Sequence, residues 1–89
     1  MTYPKLHDRI ATAARLAAFG DVWPTRYAAD VEALVAAAES GRPLDRDRLA
    51  TIRDRVIDAR GSYPWPGGRW AGWYADDAGE LLEDLAVAA

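Results

Sequence analysis

The sequence has no cysteine, and it has a single histidine, His7, and a single lysine, Lys5. Without cysteine the chain forms no disulfide, no thiolate metal site and no thiol nucleophile. His7 is followed directly by Asp8, and adjacent residues on a helix do not face each other, so this pair does not indicate a catalytic site. No set of nucleophile, base and orienting group can be assembled from the other residues. We therefore expect no enzymatic activity and no cofactor.

Long apolar runs are also lacking. No run approaches the roughly 18 residues of a membrane-spanning helix. The first ten residues lack the basic and apolar regions of a signal peptide. We therefore expect a cytoplasmic protein without membrane segments. The 89 residues are 51% apolar and 28% charged, which is typical of one globular domain, residues 1–89.

Glycine and proline divide the sequence into four segments with helical periodicity. The predicted helices cover about residues 4–19, 24–40 and 45–60, and a fourth begins between residues 69 and 73 and ends near residue 87. Gly20 and Gly41 are placed to end the first two helices. Apolar residues recur at spacings of three and four, which predicts one buried stripe on each helix. The stripe residues are Leu6, Ile10, Ala13, Ala17, Tyr27, Val31, Leu34, Val35, Ala38, Leu49, Ile52, Val56, Ala59, Tyr74, Ala78, Leu81, Leu82 and Leu85.

Short links between successive helices favour antiparallel neighbours. The predicted fold is therefore all-α: a small up-down four-helix bundle with an aromatic and proline-rich loop before the last helix. In that topology the first and third connections lie at the same end, which we call the aromatic pole. Both connections contain a Trp-Pro pair, at Trp23 and at Trp65, but this similarity is too short to define an internal repeat. The predicted members of the pole are Trp23, Tyr27, Tyr63, Trp65, Trp70 and Trp73.

The aromatic pole has two interpretations. Large rigid rings suit protein interfaces, but they also add bulk to a core made mainly of alanine. Trp73 favours an interface, because a helix that includes it places it between Asp77 and Glu80 on the charged face. The sequence therefore predicts a small inhibitor or adaptor that binds a protein partner through this pole and the acidic last helix. The predicted contact residues are Trp23, Tyr63, Trp65, Trp70, Trp73, Asp77, Glu80 and Asp84.

Carboxylates crowd the outward face predicted for the last helix. They either remain solvated, with some ion pairs to arginines of the third helix, or adjust partner choice and association rate. A divalent cation needs further converging oxygen ligands, so no metal site is predicted. The residues of this face are Asp76, Asp77, Glu80, Glu83 and Asp84.

Two alternative functions remain open. Arg46, Arg53 and Arg60 follow one flank of the third helix and would face a nucleic-acid backbone. Aspartates alternate with these arginines and the net charge is −3, so nucleic acid is the less favoured partner. The other alternative is a structural protein that forms a homo-oligomer. Ten arginines against one lysine, with nineteen alanines, indicate GC-rich coding, as in a high-GC bacterium, its phage or another mobile element.

Overall fold

Four helices account for most of the chain. The computed structural model describes residues 3–62 and 69–88, and α1 is Pro4–Ala17. Helix α2 (residues 22–40) consists of Val22–Arg26, a π-helical turn Tyr27–Val31, and Glu32–Ser40. Helices α3 and α4 are Arg46–Ser62 and Arg69–Ala88. The all-α prediction is confirmed, and the boundaries differ from the predicted ones by one or two residues.

Local sequence explains where α1 begins and where α2 ends. Pro4 occupies the first turn of α1, where its missing N–H costs no intrahelical bond. Gly20 and Gly41 have φ values of 83° and 73°, a left-handed conformation that glycine adopts without a steric penalty. The Gly41 N–H donates to the Ala37 carbonyl at 2.9 Å and ends α2, so the predicted cap is confirmed.

The core lies along the predicted stripes and is built mainly from small side chains. The two largest fully buried side chains are Tyr27 and Tyr74, which supply volume that alanine lacks. Leu6, Leu49 and Leu82 pack against the core while remaining partly exposed. The buried cluster comprises Ile10, Ala13, Tyr27, Val31, Leu34, Val35, Ile52, Val56, Ala59, Ala71, Tyr74, Ala75, Ala78 and Leu81.

The chain direction alternates along the four helices. Tyr3, just before α1, donates its backbone N–H to Glu39 near the end of α2 at 3.1 Å. Its hydroxyl donates to Asp84 in the second half of α4 at 3.5 Å. At the other end the rings of Trp23 and Tyr74 lie 5.4 Å apart, which brings the beginnings of α2 and α4 together. The helices form the predicted four-helix bundle, and the first connection lies at the end where α4 begins.

The π-helical turn in α2 contains the one fully buried charged residue among those described, Asp30. Such turns are rare and often occur where a helix carries a special site. Tyr27 and Asp30 are both fully buried in this turn; the side chain of Tyr27 bonds to α4, and that of Asp30 bonds to both α3 and α4. Within the described part of the chain no helix combines the length and apolarity needed to cross a bilayer.

Candidate functional site

Asp30 accepts hydrogen bonds from three side chains in the interior of the bundle. Its Oδ1 lies 3.0 Å from Arg48 Nη2, and its Oδ2 lies 2.7 Å from Arg55 Nη1. The Tyr74 hydroxyl donates to the same Oδ2 at 2.6 Å. A buried carboxylate is costly unless it is paired and hydrogen-bonded, and these donors meet that requirement. We call these four residues the Asp30 cluster; it connects α2, α3 and α4.

A second carboxylate has the same kind of surroundings. Asp77 is 13% exposed, and its Oδ2 lies 2.6 Å from Arg9 Nη1. The Tyr27 hydroxyl donates to this oxygen at 2.5 Å. We call these three residues the Asp77 cluster; it connects α1, α2 and α4. The sequence prediction that Asp77 lies on the outward face of α4 is therefore wrong, because its carboxylate points to the tyrosine and arginine of the neighbouring helices.

The tyrosines of both clusters are held in the neutral, donating form. Burial raises the pKa of Tyr27 and of Tyr74 far above the ordinary value, and the hydrogen bond to a carboxylate raises each pKa further. The hydrogen bond to Asp30 raises the pKa of Arg55, so that this guanidinium stays charged. Each cluster thus combines arginine, a carboxylate and a neutral hydroxyl donor in one hydrogen-bonded network, whose effect is to fix the helices relative to one another. The Nε of Arg48 in the Asp30 cluster is the one buried group of this network without a hydrogen-bond partner.

The two clusters reveal an internal repeat that spans helices α2 and α4. The pattern Trp-x-x-x-Tyr-Ala-x-Asp occurs at residues 23–30 and again at residues 70–77, a separation of 47 positions. Both tyrosines are fully buried and both aspartates accept a tyrosine hydroxyl. The repeat pairs Trp23 with Trp70, and the similarity of the two Trp-Pro pairs at Trp23 and Trp65 is not part of it.

Helices α1 and α3 carry the matching half of the repeat. Asp-Arg-Ile-x-x-Ala at residues 8–13 corresponds to Asp-Arg-Val-x-x-Ala at residues 54–59, 46 positions later. The two arginines are Arg9 and Arg55, each of which bonds a cluster carboxylate. The apolar residues that define the pattern, Ile10, Ala13, Val56 and Ala59, all belong to the buried core. The protein thus consists of two similar helical hairpins: the first hairpin is α1 with α2, and the second hairpin is α3 with α4.

Contacts between the hairpins are reciprocal. In the Asp77 cluster the first hairpin supplies the arginine and the tyrosine, and the second supplies the carboxylate. In the Asp30 cluster the second hairpin supplies these donors and the first supplies the carboxylate. The rings follow the same rule, since Trp23 contacts Tyr74 with centroids 5.4 Å apart and Trp70 contacts Tyr27 at 5.2 Å. The repeat was detectable in the sequence from the spacing of Trp, Tyr and Asp, but not from the Trp-Pro pairs alone.

The aromatic pole brings three of the predicted tryptophans together. Trp70 and Trp73 meet edge to face with ring centroids 4.8 Å apart, and Trp23 lies in the same pole through its contact with Tyr74. All three tryptophans are half-buried and pack against the core. Tyr63 and Trp65, also predicted contact residues, lie outside the residues that the structure describes.

Trp73 does not stand on the charged face as predicted. Its ring packs against the core and is covered by the guanidinium of Arg9, 4.4 Å from the ring centroid, with that of Arg69 at 5.9 Å. The predicted position is therefore wrong, while the contact role of this residue stays a prediction. Arg26 lies over Trp23 in a similar way, 4.7 Å from the centroid, so arginines border the rings on both sides of the pole.

Two exposed apolar side chains of this pole were not singled out in the sequence. Phe19 is 81% exposed and Val22 is 56% exposed, and they flank the turn between α1 and α2. Isolated exposed apolar residues are common, but these two lie within four residues of the half-buried Trp23 along the chain. The signal for their exposure in the sequence is their position beside Gly20, where the apolar stripe of α1 has already ended.

The other predicted acidic contact residues lie away from the tryptophans. Asp84 is exposed beside Tyr3, at the end of the bundle opposite the pole. Glu80 lines a shallow depression of about 390 Å³ at the start of α1, together with Tyr3, Lys5 and Leu6. The eight predicted contact residues therefore do not form one surface: the described tryptophans mark one end of α4, while Glu80 and Asp84 are near the other end.

The arginines of α3 divide into two groups. Arg48 and Arg55 reach Asp30 and are only partly exposed, whereas the arginines proposed for nucleic-acid binding are all exposed. Those residues are Arg46, Arg53 and Arg60. Exposed aspartates alternate with them along the helix, and this pattern repels a phosphate backbone as well as attracting it.

Among the described residues no group of three or more His, Asp or Glu side chains is arranged to hold a metal ion. Comparison of the chain with protein-family models, with curated proteins and with solved structures gives no match. The candidate functional surface is consequently defined by geometry alone: two exposed apolar side chains in the first connection and the half-buried tryptophan rings of the same pole.

Proposed function

We propose that the protein is a non-enzymatic module that binds another protein through the aromatic pole. The observation that carries the proposal is the exposure of Phe19 and Val22 next to Trp23, because large apolar side chains gain the most free energy when a partner covers them. Trp23, Trp70 and Trp73 pack against the core in the same pole, so these rings are already held in place before binding, which reduces the ordering cost.

Charge at the pole indicates the chemistry of the partner. Arg26 and Arg69 border the tryptophans, and the exposed Arg15 lies in the last turn of α1. Asp21 is the exposed carboxylate in the first connection, and residues 63–68 contain no charged side chain. The partner that fits is a protein surface with an apolar centre and carboxylates around it. The proposed contact does not include Asp77, whose carboxylate is bonded in the Asp77 cluster. It also does not include Glu80 and Asp84, which lie away from the tryptophans.

The experiment compares two matched substitutions of exposed apolar residues. Phe19→Ser removes the main exposed apolar side chain of the pole, which is 81% exposed. Ile57→Ser removes a similarly exposed side chain, at 67%, from the side of α3. A partner is first captured from a lysate of the source organism, identified and purified, and its dissociation constant is then measured with each variant. We expect Phe19→Ser to weaken binding at least about tenfold and Ile57→Ser to leave it unchanged.

Both variants should keep the melting temperature of the parent chain, because neither side chain is buried. Equal binding by the parent and by Phe19→Ser would refute the proposal. Binding of duplex DNA at low salt, lost in a variant of Arg46, Arg53 and Arg60, would instead support the nucleic-acid alternative. Concentration-dependent self-association that Phe19→Ser abolishes would identify the partner as a second copy.

A further inference from the structure

The contacts between the two hairpins have the form of an interface between two copies of one unit. Each hairpin carries one arginine, one tyrosine, one aspartate and one tryptophan at equivalent positions. The donors of each hairpin reach the carboxylate of the other, and each tryptophan contacts the tyrosine of the other. Mutual exchange of equivalent contacts is what defines an isologous interface between identical subunits.

We propose that the hairpin faces bind a second copy of this chain by exchange of hairpins. The first hairpin of one chain packs on the second hairpin of the other, and the Asp30 and Asp77 clusters then form between chains with the contacts described above. The proposal is independent of partner binding at the aromatic pole, because it uses the contacts between the two hairpins and does not involve Phe19 or Val22.

The link between the hairpins decides whether the contacts form within or between chains. Residues 41–45 alone join α2 to α3, and Gly41 reverses the chain through its left-handed conformation. A short link gives the two hairpins an effective concentration on the order of millimolar. The closed monomer therefore prevails in dilute solution, and exchange competes when chains fold at concentrations near that value.

Deletion of residues 41–45 tests the proposal directly. Helices α2 and α3 then join as one continuous helix, so the two hairpins of a chain point apart and cannot meet. We expect a folded species of twice the mass of the shortened chain, which is smaller than the 9.7 kDa parent, by size exclusion with light scattering, and with the tryptophan emission of the parent protein. A folded monomer, or a product without a discrete dimeric species, would overturn the proposal.

A matched pair of substitutions in the shortened chain identifies the dimer interface. Asp77→Asn alters the carboxylate of one cluster, whereas Asp76→Asn alters its exposed neighbour. We expect Asp77→Asn to raise the dimer dissociation constant at least about tenfold, since it weakens a charge-assisted network at two equivalent interfaces. Asp76→Asn should leave the constant unchanged, and equal effects of both substitutions would count against hairpin exchange.

The intact chain provides a measurement that does not depend on the deletion. Two copies with different affinity tags are unfolded together in guanidinium and refolded at about 1 mM, close to the expected crossover, or at about 10 μM, well below it. Mixed dimers that carry both tags are expected after refolding at the higher concentration and not at the lower one. Their absence at the higher concentration would overturn the proposal even if the shortened chain dimerises.

Discussion

Removal of the Asp30 carboxylate should be among the most destabilising single changes in this protein. The side chain is fully buried, and three donors converge on its two oxygens. Removing one partner of a buried ion pair typically costs about 3–5 kcal/mol. Arg48 and Arg55 are 41% and 34% exposed, so the released guanidinium groups regain water and the cost falls towards the lower limit. Loss of the acceptor for the buried Tyr74 hydroxyl costs about 1–3 kcal/mol when taken alone.

Together these effects predict that Asp30→Ala lowers the free energy of unfolding by about 3–4 kcal/mol. A chain of this length has a total stability of roughly 4–13 kcal/mol, so the loss is a large fraction of it. The melting temperature should fall by roughly 12–30 °C, at about 4–8 °C per kcal/mol for a small domain. Circular dichroism during urea unfolding measures the loss of free energy, provided that the slope of the free energy of unfolding against urea concentration is the same in both proteins.

Two control variants test whether this stability comes from the Asp30 cluster. Asp76→Ala removes an exposed carboxylate from α4 and should change the stability by no more than about 0.5 kcal/mol. The double variant Asp30→Ala with Arg55→Ala should be more stable than the sum of the single effects predicts, by about 1 kcal/mol or more. A loss below about 1 kcal/mol in Asp30→Ala, or additive effects in the double variant, would refute a stabilising role for the cluster.

Three further outcomes follow from the fold. Because the pKa values of Tyr27 and Tyr74 are raised, both tyrosines contribute fully to the free energy of unfolding below the ordinary pKa of 10. Above it the free energy of unfolding declines by about 1.4 kcal/mol per pH unit for each tyrosine. Tyr27→Phe should halve this slope in urea unfolding at pH 10–12. Gly41→Ala, at φ 73°, should cost about 1–2 kcal/mol by thermal unfolding, while Gly61→Ala, a helical site with open space around it, should be neutral or gain up to about 1 kcal/mol. The hydrogen bond with His7 lowers the pKa of Glu39, so the carboxylate of Glu39 stabilises the fold above its ordinary pKa of 4.5, and this contribution is lost as the pH falls. Glu39→Gln should therefore make the fall in the free energy of unfolding at acid pH less steep. An unchanged pH dependence in this range would contradict the expectation.

The helices and their buried faces were predictable because they depend on local patterns. Apolar spacing at three and four residues predicted the stripes, and Gly41 predicted the end of the second helix; both agree with the structure. The first helix ends at Ala17, with its cap at Ala18 and not at the predicted Gly20. The small differences at the helix ends concern positions such as Val22, where no strong cap determines the start.

The polar interior was harder to predict because it depends on how the helices cross. Asp30 shares its face with Tyr27 and Leu34, and a carboxylate in an apolar stripe is a signal that a partner must be found elsewhere. Periodicity within α2 does not tell which cation reaches that side chain, since the choice depends on packing between helices. Asp77 lies at the edge of its stripe, where an average helical period does not separate inward from outward positions.

The reciprocity of the two clusters also determines how the molecule comes apart. Neither hairpin can leave the other without exposing its own carboxylate and, in the same step, depriving the tyrosine and arginine of the opposite hairpin of their acceptor. Separating the hairpins therefore costs about as much free energy as complete unfolding. Slowly exchanging backbone amides in the first and second halves should report the same opening free energy, so the protein behaves as a single cooperative unit despite its twofold construction.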